Sequence, residues 1–314
     1  MVAADTNCAT IAIIMLTVNQ RENTIQCLSS FRSVKSPPYR IIVWDNGSLD
    51  GTVDAVRDMF PDVLVYHHPN NLGAAAGRNA AAELAINTLN PTHLFFIDND
   101  TIVTPGFLDA LLEPFTGRKT LAQTEPKIKF LKDKKRLQSA GGARIRFWLG
   151  STTTIGYGEI DRSQYEKPSQ CIPSGCTLVR TDVFQKVGGF DSQFDPYGTE
   201  DLDFSLRIRK AGYYGLYVPK SLIFHNPTQT FEQGKYTEKY ARVKARNWIL
   251  LMRRHASPLQ QLGFIFLGAP YLFIKLIIRE GRKGNLAAAG GLLRGMLDFL
   301  KSLDKTTVRT RGGA

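Results

Sequence analysis

Two carboxylates lie one residue apart where an apolar run ends, in the stretch LFFIDNDTIV at residues 94–103. The four apolar residues that open the stretch predict a buried parallel strand, and Asp98 and Asp100 follow it. Unpaired carboxylates are costly to bury, so this pair is either exposed at the strand's end or matched by positive charge. The stretch alone leaves two interpretations open: a surface turn before a helix that begins near Pro105, or a site for a divalent cation.

A second acidic cluster lies further along the chain, where Glu200, Asp201 and Asp203 open a predicted helix that ends near Gly212. On a helix, Glu200 and Asp203 share a face. Acids in a first turn also stabilise the helix dipole, so a purely structural role stays open. His225 ends the short strand that follows, where it is either structural or part of a carboxylate metal site.

The N-terminal region predicts the elements that must position these side chains. Strands are expected at 11–16, 40–44, 63–67 and directly before Asp98, and helices at 21–30, 51–59 and after the glycines of NLGAAAGRN. This alternation predicts an α/β domain with a mainly parallel sheet. In such sheets, ligands bind beyond the carboxyl ends of the strands.

Polar residues fall at those strand ends. Thr17, Asn19 and Arg21 follow the first strand, Asp45 follows the second, and the acidic pair follows the fourth. One such placement is commonplace, because turns are rich in Asp and Asn. Three strand ends that present polar groups to one edge predict a crevice that binds a nucleotide.

The glycine-rich stretch NLGAAAGRN permits two interpretations. Gly73 and Gly77 could open a helix whose N-terminus holds an anion, with the Arg78 guanidinium as a phosphate ligand. They could equally serve a tight loop and close helix packing. The stretch lacks GK[ST] and is not GxGxxG, which disfavours a Walker A loop and a dinucleotide-dependent oxidoreductase.

Charge divides the chain into two regions. Residues 1–219 contain 23 Lys or Arg and 23 Asp or Glu, whereas residues 220–314 contain 17 and 5, so the whole net charge of +12 falls in the last third. This predicts a neutral catalytic or binding domain at 1–230 and a basic helical segment at 231–314. Four cysteines without a CxxC pair suit a reducing compartment, and no signal peptide is expected.

The basic segment contains apolar helices. The apolar run from Leu262 to Ile274 is 13 residues long, short of the roughly 20 that span a bilayer. A further amphipathic helix is predicted with four leucines on one face: Leu286, Leu293, Leu297 and Leu300. Basic residues beside apolar helices suit the anionic cytoplasmic surface of a membrane. Packing on the catalytic domain or in a homo-oligomer stays open, and no nucleic-acid-binding module is recognised.

Residues 117–170 are harder to interpret. The basic run IKFLKDKKRLQ predicts a solvated loop, and the segment 150–169, with Trp148, Tyr157 and Tyr165 nearby, is either a lid over a bound sugar or an ordinary loop. Gly175, in PSGC, either lets backbone approach a sugar or relieves a turn.

The ordered set LTVNQRENT, VWDNGSLDGT, NNLGAAAGRNAA, FFIDND, PSGCTLVRTDVFQKVGGFD and TEDLDFSLR closely resembles the family 2 glycosyltransferases. The resemblance covers roughly residues 10–226, and it is strongest to the rhamnosyltransferase-type enzymes of bacterial cell-wall and surface-polysaccharide assembly. It implies a GT-A fold, a UDP- or dTDP-sugar donor, a Mn²⁺ or Mg²⁺ cofactor and inversion at the anomeric carbon. It also makes a glycan or polyprenol-linked acceptor plausible, and with it a cytoplasmic enzyme peripheral to the inner face of the cell membrane.

The resemblance also implies roles for particular residues. Thr17, Asn19 and Asp45 would hold the base and ribose. Asp100 would bind the metal, Asp98 would lie near the ribose or the metal, and His225 would contact the metal or the diphosphate. Asp201 would be the general base, and Glu200 beside it is the second catalytic candidate.

Two other functions fit parts of the pattern. A sugar-nucleotide nucleotidyltransferase would share the crevice and the metal, but its glycine-rich basic N-terminal signature is missing and LTVNQRENT stands in its place. A non-catalytic module that binds carbohydrate or a membrane surface would have a degenerate site. The intact carboxylates of Asp98, Asp100 and Asp201 argue against degeneracy.

Overall fold

The computed structural model describes residues 10–226 and 237–309, with side chains through residue 298. Its contacts divide these residues into two compact units. The first comprises 10–144, 154–196 and 200–226, and the second comprises 145–153, 197–199 and 237–309. The predicted boundary at residue 230 falls in 227–236, outside the described residues, so the two predicted domains stay a prediction.

Strands and helices alternate from residue 11 to residue 98 of the first unit, as the apolar periodicity predicts. The strands are β1 (Ile11–Thr17), β2 (Tyr39–Asp45), β3 (Leu64–His67), β4 (His93–Asp98), β5 (Thr101–Val103), β6 (Leu121–Phe130), β7 (Leu137–Ser139), β8 (Ala143–Arg146), β9 (Ser151–Thr154), β10 (Ser169–Cys171), β11 (Thr177–Arg180) and β12 (Tyr214–His225), of which β8 and most of β9 extend into the second unit. The helices are α1 (Arg21–Ser30), α2 (Thr52–Met59), α3 (Ala74–Leu89), α4 (Phe107–Leu112), α5 (Thr181–Val187) and α6 (Glu200–Lys210).

Ten of the described strands form one sheet, with the order β10-β12-β6-β11-β4-β1-β2-β3 and with β5 and β7 paired to β12 and β6. The strands β3, β2, β1 and β4 run parallel. Beyond them β11 lies antiparallel between β4 and β6, and β6 is again parallel to β12. The predicted α/β fold is therefore confirmed, with a mixed sheet whose parallel half carries the predicted strand ends.

Helices cover both faces of the sheet at β1. Because successive residues of a strand point to opposite sides, alternate residues of β1 pack against different helices. Ile11 and Ile13 of β1 pack in one apolar cluster with residues of α1 and α4. Ala12 and Ile14 pack in a second cluster with Ala81 and other residues of α3. Both faces of β1 are covered, so polar groups can meet solvent at the carboxyl end of this strand.

The basic run IKFLKDKKRLQ is not a solvated loop throughout, as the sequence suggested. Its first three residues complete β6, and Leu137 near its end begins β7. Ile128 is buried, and the Lys129 ammonium lies 2.7 Å from a carboxylate oxygen of Asp161. Strand pairing and this ion pair hold the two ends of the run, while Lys132 to Lys135 between them are exposed.

The second unit is helical, with α7 (Glu238–His255), α8 (Pro258–Gly263), a π-helical turn (Phe264–Gly268), α9 (Ala269–Arg282) and α10 (Leu286–Arg309). Helices α7 and α10 pack closely because Gly291 and Gly295 present no Cβ to the carbonyl groups of Glu238 and Arg242. Leu286, Leu293 and Leu297 of α10 are exposed, and Leu300 lies beyond the described side chains.

The helical segment that contains the apolar run of the second unit is longer than the run itself. The helical segment Pro258–Arg282 has 25 residues and, by length and composition alone, could cross a membrane. The 13 uninterrupted apolar residues predicted a segment too short to span a bilayer. Lys275 ends that apolar run, but it lies within α9 and does not end the helix.

Candidate active site

The ends of β1 and β2 carry the residues predicted to hold a nucleotide. Asp45 is fully buried; its Oδ1 accepts a hydrogen bond from the Ser48 backbone N–H at 2.9 Å and lies 2.7 Å from Nδ1 of His67. Its Oδ2 is buried without a hydrogen-bond partner among the described residues. A buried acceptor left in this state is costly, and a ligand N–H would satisfy it.

Asn19 and Arg21 connect the end of β1 to the loop after β2. The Asn19 side-chain oxygen accepts from the Leu49 backbone N–H at 2.8 Å, and the Asn19 backbone N–H donates to Ser48 Oγ at 2.8 Å. The Arg21 backbone N–H donates to Asp50 Oδ2 at 3.0 Å, and its side chain is exposed. These contacts fix the shape of the crevice, and the contacts of both side chains with a nucleotide stay predictions.

Thr17 takes part in a buried polar network. Its hydroxyl lies 2.8 Å from the Thr24 hydroxyl, and the Asn99 side-chain amide donates to both oxygens, at 3.0 and 3.1 Å. Asn99 is thereby fixed between the two acids of the Asp98-Asn99-Asp100 turn. The structure thus gives Thr17 a role in positioning this turn, and its contact with a base or ribose stays a prediction.

His225 reaches the acidic turn through a strand pairing. The antiparallel pairing of β5 with the end of β12 sets His225 opposite Thr101, directly after Asp100. One ligand atom each from Asp98, Asp100 and His225 lies within 4.8 Å of the others, and Nε2 of His225 is 2.8 Å from Oδ1 of Asp100. Burial opposes protonation of the imidazole, but the hydrogen bond and charge of Asp100 raise the pKa of His225 above its ordinary value.

This group fits a divalent cation. Two carboxylates and one imidazole offer oxygen and nitrogen ligands, a set that suits Mn²⁺ and allows Mg²⁺ through the carboxylates. The side-chain amide of Gln138 lies within 2.9 Å of Nδ1 of His225 and orients the ring toward the acids. Gln138 was not singled out in the sequence, because nothing in its neighbourhood indicates that its side chain contacts His225, 87 residues away.

Arg78 links the two acidic clusters. Its guanidinium donates to Asp98 Oδ1 at 2.9 Å and to Glu200 Oε1 at 2.7 Å. Burial alone would lower the pKa of Arg78, but the charges of Asp98, Glu200 and Asp201 raise it above its ordinary value. Two carboxylates already bind this guanidinium, and its role as a phosphate ligand stays a prediction.

The N-terminus of α3 holds a protein carboxylate. The backbone N–H groups of Ala75 and Ala76 donate to the carboxylate of Asp195 at 2.7 and 3.2 Å. Gly73 permits this approach, since a Cβ there would lie 2.5 Å from the Asp195 carboxylate, and a Cβ on Gly77 would lie 2.7 Å from the Leu16 side chain. Of the two interpretations of these glycines, the structure therefore supports close packing, with Asp195 as the anion at the helix N-terminus.

The second acidic cluster opens α6, as predicted. Glu200 binds Arg78, whereas the buried Asp203 binds Arg207 Nε at 2.7 Å within the same helix. Burial and the neighbouring charge of Glu200 raise the pKa of Asp201 to about 7, against the opposing effect of Arg78. Asp203 is therefore structural, and Asp201 has the proton affinity of a group that can exchange a proton near neutral pH.

A buried glutamate next to the PSGC loop was missed in the sequence. Glu125 of β6 is fully buried, and its Oε1 lies 3.4 Å from both the Ser139 hydroxyl and the Ser174 backbone nitrogen. Burial raises the pKa of Glu125 to about 8. The mixed polar sequence of β6, LAQTEPKIKF, gives no signal that this glutamate is buried. Beside it Gly175 has a φ of +93° and open space where a Cβ would point, which leaves its backbone accessible.

The segment proposed as a lid is partly tied down. Asp161 lies 3.6 Å from the Lys127 ammonium, and Glu166 contacts the same ammonium. Tyr165 packs against a small cluster that contains Leu137 and Tyr217. These contacts fix residues 161–166 against the sheet, and closure over a sugar stays a prediction.

Comparisons with known proteins agree with this geometry. The model of Glycosyl transferase family 2 matches residues 12–188, and a model described as N-terminal domain of galactosyltransferase matches residues 156–233. The chain is 26% identical over 306 residues to the N-acetylglucosaminyl-diphospho-decaprenol L-rhamnosyltransferase of Mycobacterium tuberculosis, a match that covers 89% of this chain and 97% of that protein.

Solved structures share the fold. GalNAc-T7 with UDP, GalNAc and Mn²⁺ matches with a TM-score of 0.62 at 16% identity, over 79% of this chain and 48% of that chain. The mannosyltransferase PcManGT from Pyrobaculum calidifontis, in complex with GDP-Man and Mn²⁺, matches with a TM-score of 0.54 at 15% identity, over 94% of this chain and 88% of that chain.

These similarities confirm the predicted fold and enzyme class, and they favour a glycosyltransferase over a nucleotidyltransferase or a non-catalytic module. The sequence match extends from the first residues of β1 into α5 and its C-terminal glycine, and so includes the Asp98-Asn99-Asp100 turn. Because the family model covers more than half of the chain, this protein belongs to glycosyl transferase family 2.

Proposed function

We propose that this enzyme transfers a sugar, with inversion, from a nucleoside diphosphate donor to a hydroxyl group of a glycan or lipid-linked glycan. The observation that carries the proposal is the bridge made by Arg78, which binds Asp98 of one acidic cluster and Glu200 of the other. A group that binds the donor's diphosphate and a group that accepts a proton would then act on one sugar from two sides.

The donor's nucleoside would bind at the ends of β1 and β2. The unpartnered buried Oδ2 of Asp45 can accept a hydrogen bond from an imide N–H, which both uracil and thymine carry. Asn19 and Arg21 would border the base and ribose, with Thr17 beneath them. Gly175, with its accessible backbone, would lie near the transferred sugar.

Asp98, Asp100 and His225 would hold a Mn²⁺ or Mg²⁺ ion. Such an ion, when bound, supplies positive charge that stabilises the diphosphate as it gains negative charge. Gln138 would fix the His225 ring, and Asn99 would keep the two carboxylates in place. Arg78 would limit the repulsion between Asp98 and Glu200 before the donor arrives.

Asp201 would act as the general base, with Glu200 beside it. As the acceptor oxygen forms its bond to the anomeric carbon, its proton passes to the Asp201 carboxylate. The bond between that carbon and the diphosphate oxygen breaks, and its electron pair leaves with the nucleoside diphosphate. One base on the face opposite the leaving group is sufficient for inversion.

The acceptor proposal draws on the mycobacterial relative, whose name describes transfer to a decaprenol-linked substrate and which this chain matches over 97% of its length. A polyprenol-linked acceptor would place the enzyme in the cytoplasm, peripheral to the inner face of the membrane. Residues 1–230 would then form the catalytic domain, and residues 231–314 would attach it to the membrane or to a second copy.

The test measures donor binding and transfer separately. UDP and dTDP should stabilise the protein against heat in the presence of Mn²⁺ and much less in its absence, because a ligand raises the stability of the state it binds. Asp201→Asn should keep this stabilisation and lose transfer, whereas Asp62→Asn, on an exposed loop, should keep both. Full transfer by Asp201→Asn would overturn the assignment of the base, and the absence of any nucleotide effect would overturn the proposal.

A further inference from the structure

The second unit exposes an apolar helix face. Most of the apolar part of the segment Pro258–Arg282 is not buried, and Phe266 and Leu267 are 72% and 71% exposed. The exposed apolar residues of this segment, which we call the apolar face, are Leu259, Leu262, Ile265, Phe266, Leu267, Tyr271, Ile274 and Ile278. Patches of this kind on a soluble surface mark sites of association.

A separate stretch of sequence adds to the apolar face. Phe147–Leu149 form one 3-10 turn, and its Trp148 ring packs so closely on the helix that a Cβ on Gly263 would overlap it. Gly268 likewise meets the backbone of Trp148 and Leu149. Trp148 and Leu149 remain 46% and 40% exposed, so an indole and a leucine lie next to the helix without being covered. Tryptophan is characteristic of the interface between lipid and water.

The opposite side of the same helical segment is occupied by protein. Phe273 is buried in a cluster with Ala241 and Ala245 of α7 and Leu292 of α10, and Leu276 and Ile277 pack against it. Helix α7 itself carries charged residues along its length, EKYARVKARNWILLMRRH. A segment with one side bound to a basic helix cannot be surrounded by lipid, so it would lie in a membrane surface rather than cross it.

Cations border the apolar face. Lys275, Arg279 and Arg282 continue the helical row that begins at Leu267 and Tyr271, with spacings of three or four residues, and all three are exposed. Residues 237–298 contain 11 Lys or Arg and three Asp or Glu. If a second copy covered this face symmetrically, it would bring like charges together, whereas anionic lipid headgroups would neutralise them.

We infer that the apolar face, together with Trp148 and Leu149, is the surface by which this enzyme lies on a bilayer that contains anionic lipid. The inference rests on the proposed function in so far as a lipid-linked acceptor gives the contact a purpose. The apolar side chains and the indole enter the boundary between headgroups and acyl chains, and the bordering cations bind the headgroups.

The test is flotation of the full chain with vesicles. Vesicles with phosphatidylglycerol should bind the protein at least about tenfold more tightly than pure phosphatidylcholine vesicles, since anionic headgroups attract the cations that border the face. Phe266→Ser/Leu267→Ser and Trp148→Ala should each weaken binding, and Lys275→Gln/Arg282→Gln should remove much of the preference for anionic lipid, whereas Arg279 is left in place because it pairs with the buried Glu280. The matched control is Met59→Ser/Leu64→Ser, which changes two exposed apolar residues of the first unit.

Each other outcome has a defined meaning. Equal binding of wild type and the Phe266/Leu267 variant would overturn the inference, as would resistance of bound protein to alkaline carbonate, which marks a spanning helix. Dimerisation that these variants abolish, without vesicle binding, would assign the face to a second copy. Mn²⁺-dependent stabilisation by UDP is measured on every variant, so loss of the vesicle contact is distinguished from failure of the proposed donor site.

Discussion

The side-chain nitrogen of Asn247 lies 2.9 Å from each of two consecutive carbonyl oxygens, those of Tyr197 and Gly198. Asn247 is fully buried on α7. The next residue, Thr199, has a φ of +71°, a conformation that β-branched side chains rarely adopt, and Glu200 follows it directly. A strained turn is thus held in place by α7 immediately before the acidic pair, which is where strain often accompanies function.

Replacing Asn247 by Ala should therefore lower kcat by about ten- to a hundredfold with little change in KM for the donor, because a small displacement of reacting groups has effects of this size. Lys239→Ala, at an exposed position of the same helix, should change neither constant. Steady-state kinetics with a water-soluble acceptor measure both. A fall in thermal stability with unchanged kcat would mean that Asn247 only supports the fold.

The strain itself can be tested at the same turn. Asn tolerates a positive φ better than Thr, so Thr199→Asn should raise the free energy of unfolding by about 1 kcal/mol. Denaturant unfolding of the wild type and of Thr199→Asn provides the measurement. Destabilisation by Thr199→Asn would show that the threonine side chain contributes more than its backbone conformation costs.

Arg78 is expected to stabilise the fold as well as the site. Arg78→Met would leave Asp98 and Glu200 without the cation that both contact, and loss of one partner of a buried ion pair costs about 3–5 kcal/mol. Asp98 is 38% exposed, so the lower end of this range is expected. Adding Glu200→Gln should recover part of the loss, and Arg40→Met, on an exposed part of β2, should have little effect. Equal unfolding free energies for wild type and Arg78→Met would contradict the bridge.

Gln138 provides a test of the metal group that leaves all three candidate ligands intact. Without its amide near Nδ1, the His225 ring loses its orientation, and outer partners of this kind typically change metal affinity about 10- to 100-fold. Gln138→Ala should shift the Mn²⁺ concentration required for stabilisation by UDP upward by that factor. Gln185→Ala, exposed on α5, is the control. An unshifted Mn²⁺ titration would exclude His225 from the metal group.

Local sequence pattern was sufficient for the elements around the first acidic cluster. Apolar strands alternate with helices, and parallel strands place their ends at one edge, so Asp45 and Asp98 could be located without coordinates. The polar contacts between distant parts of the chain were not predictable in this way. Asp195 reaches the N-terminus of α3 across 120 residues, and Gln138 reaches His225 across 87. Periodicity describes which side of an element is buried, and it contains no information about which element lies opposite.

Protonation of Asp201 should make kcat/KM fall on the acid side of neutral pH. Burial and Glu200 raise the pKa of Asp201 to about 7, so the carboxylate that accepts a proton is lost as the pH falls below that value. We expect kcat/KM to fall about tenfold per pH unit below the pKa. Glu200→Gln removes a neighbouring negative charge and should shift the pH at which kcat/KM begins to fall to a lower value, whereas Asp62→Asn should leave that pH unchanged. If Glu200→Gln did not shift it, the titrating group would be one other than Asp201.

Glu125 should make the folded protein less stable as the pH rises. Burial raises the pKa of Glu125 to about 8, compared with about 4.5 for an ordinary glutamate. Between these values the folded state keeps a proton that the unfolded chain has lost, so the free energy of unfolding falls by up to about 1.4 kcal/mol per pH unit through this window. Glu125→Gln keeps an acceptor for Ser139 and Ser174 and has no such proton. Its stability advantage over wild type should therefore be small near pH 5 and grow to a few kcal/mol at pH 8, as measured by denaturant unfolding across this range.

Glu83→Gln, on the exposed side of α3, should show no pH-dependent difference from wild type. A gap between Glu125→Gln and wild type that stays constant from pH 5 to 8 would mean that Glu125 is ionised in the folded protein, with its charge balanced by neighbouring groups.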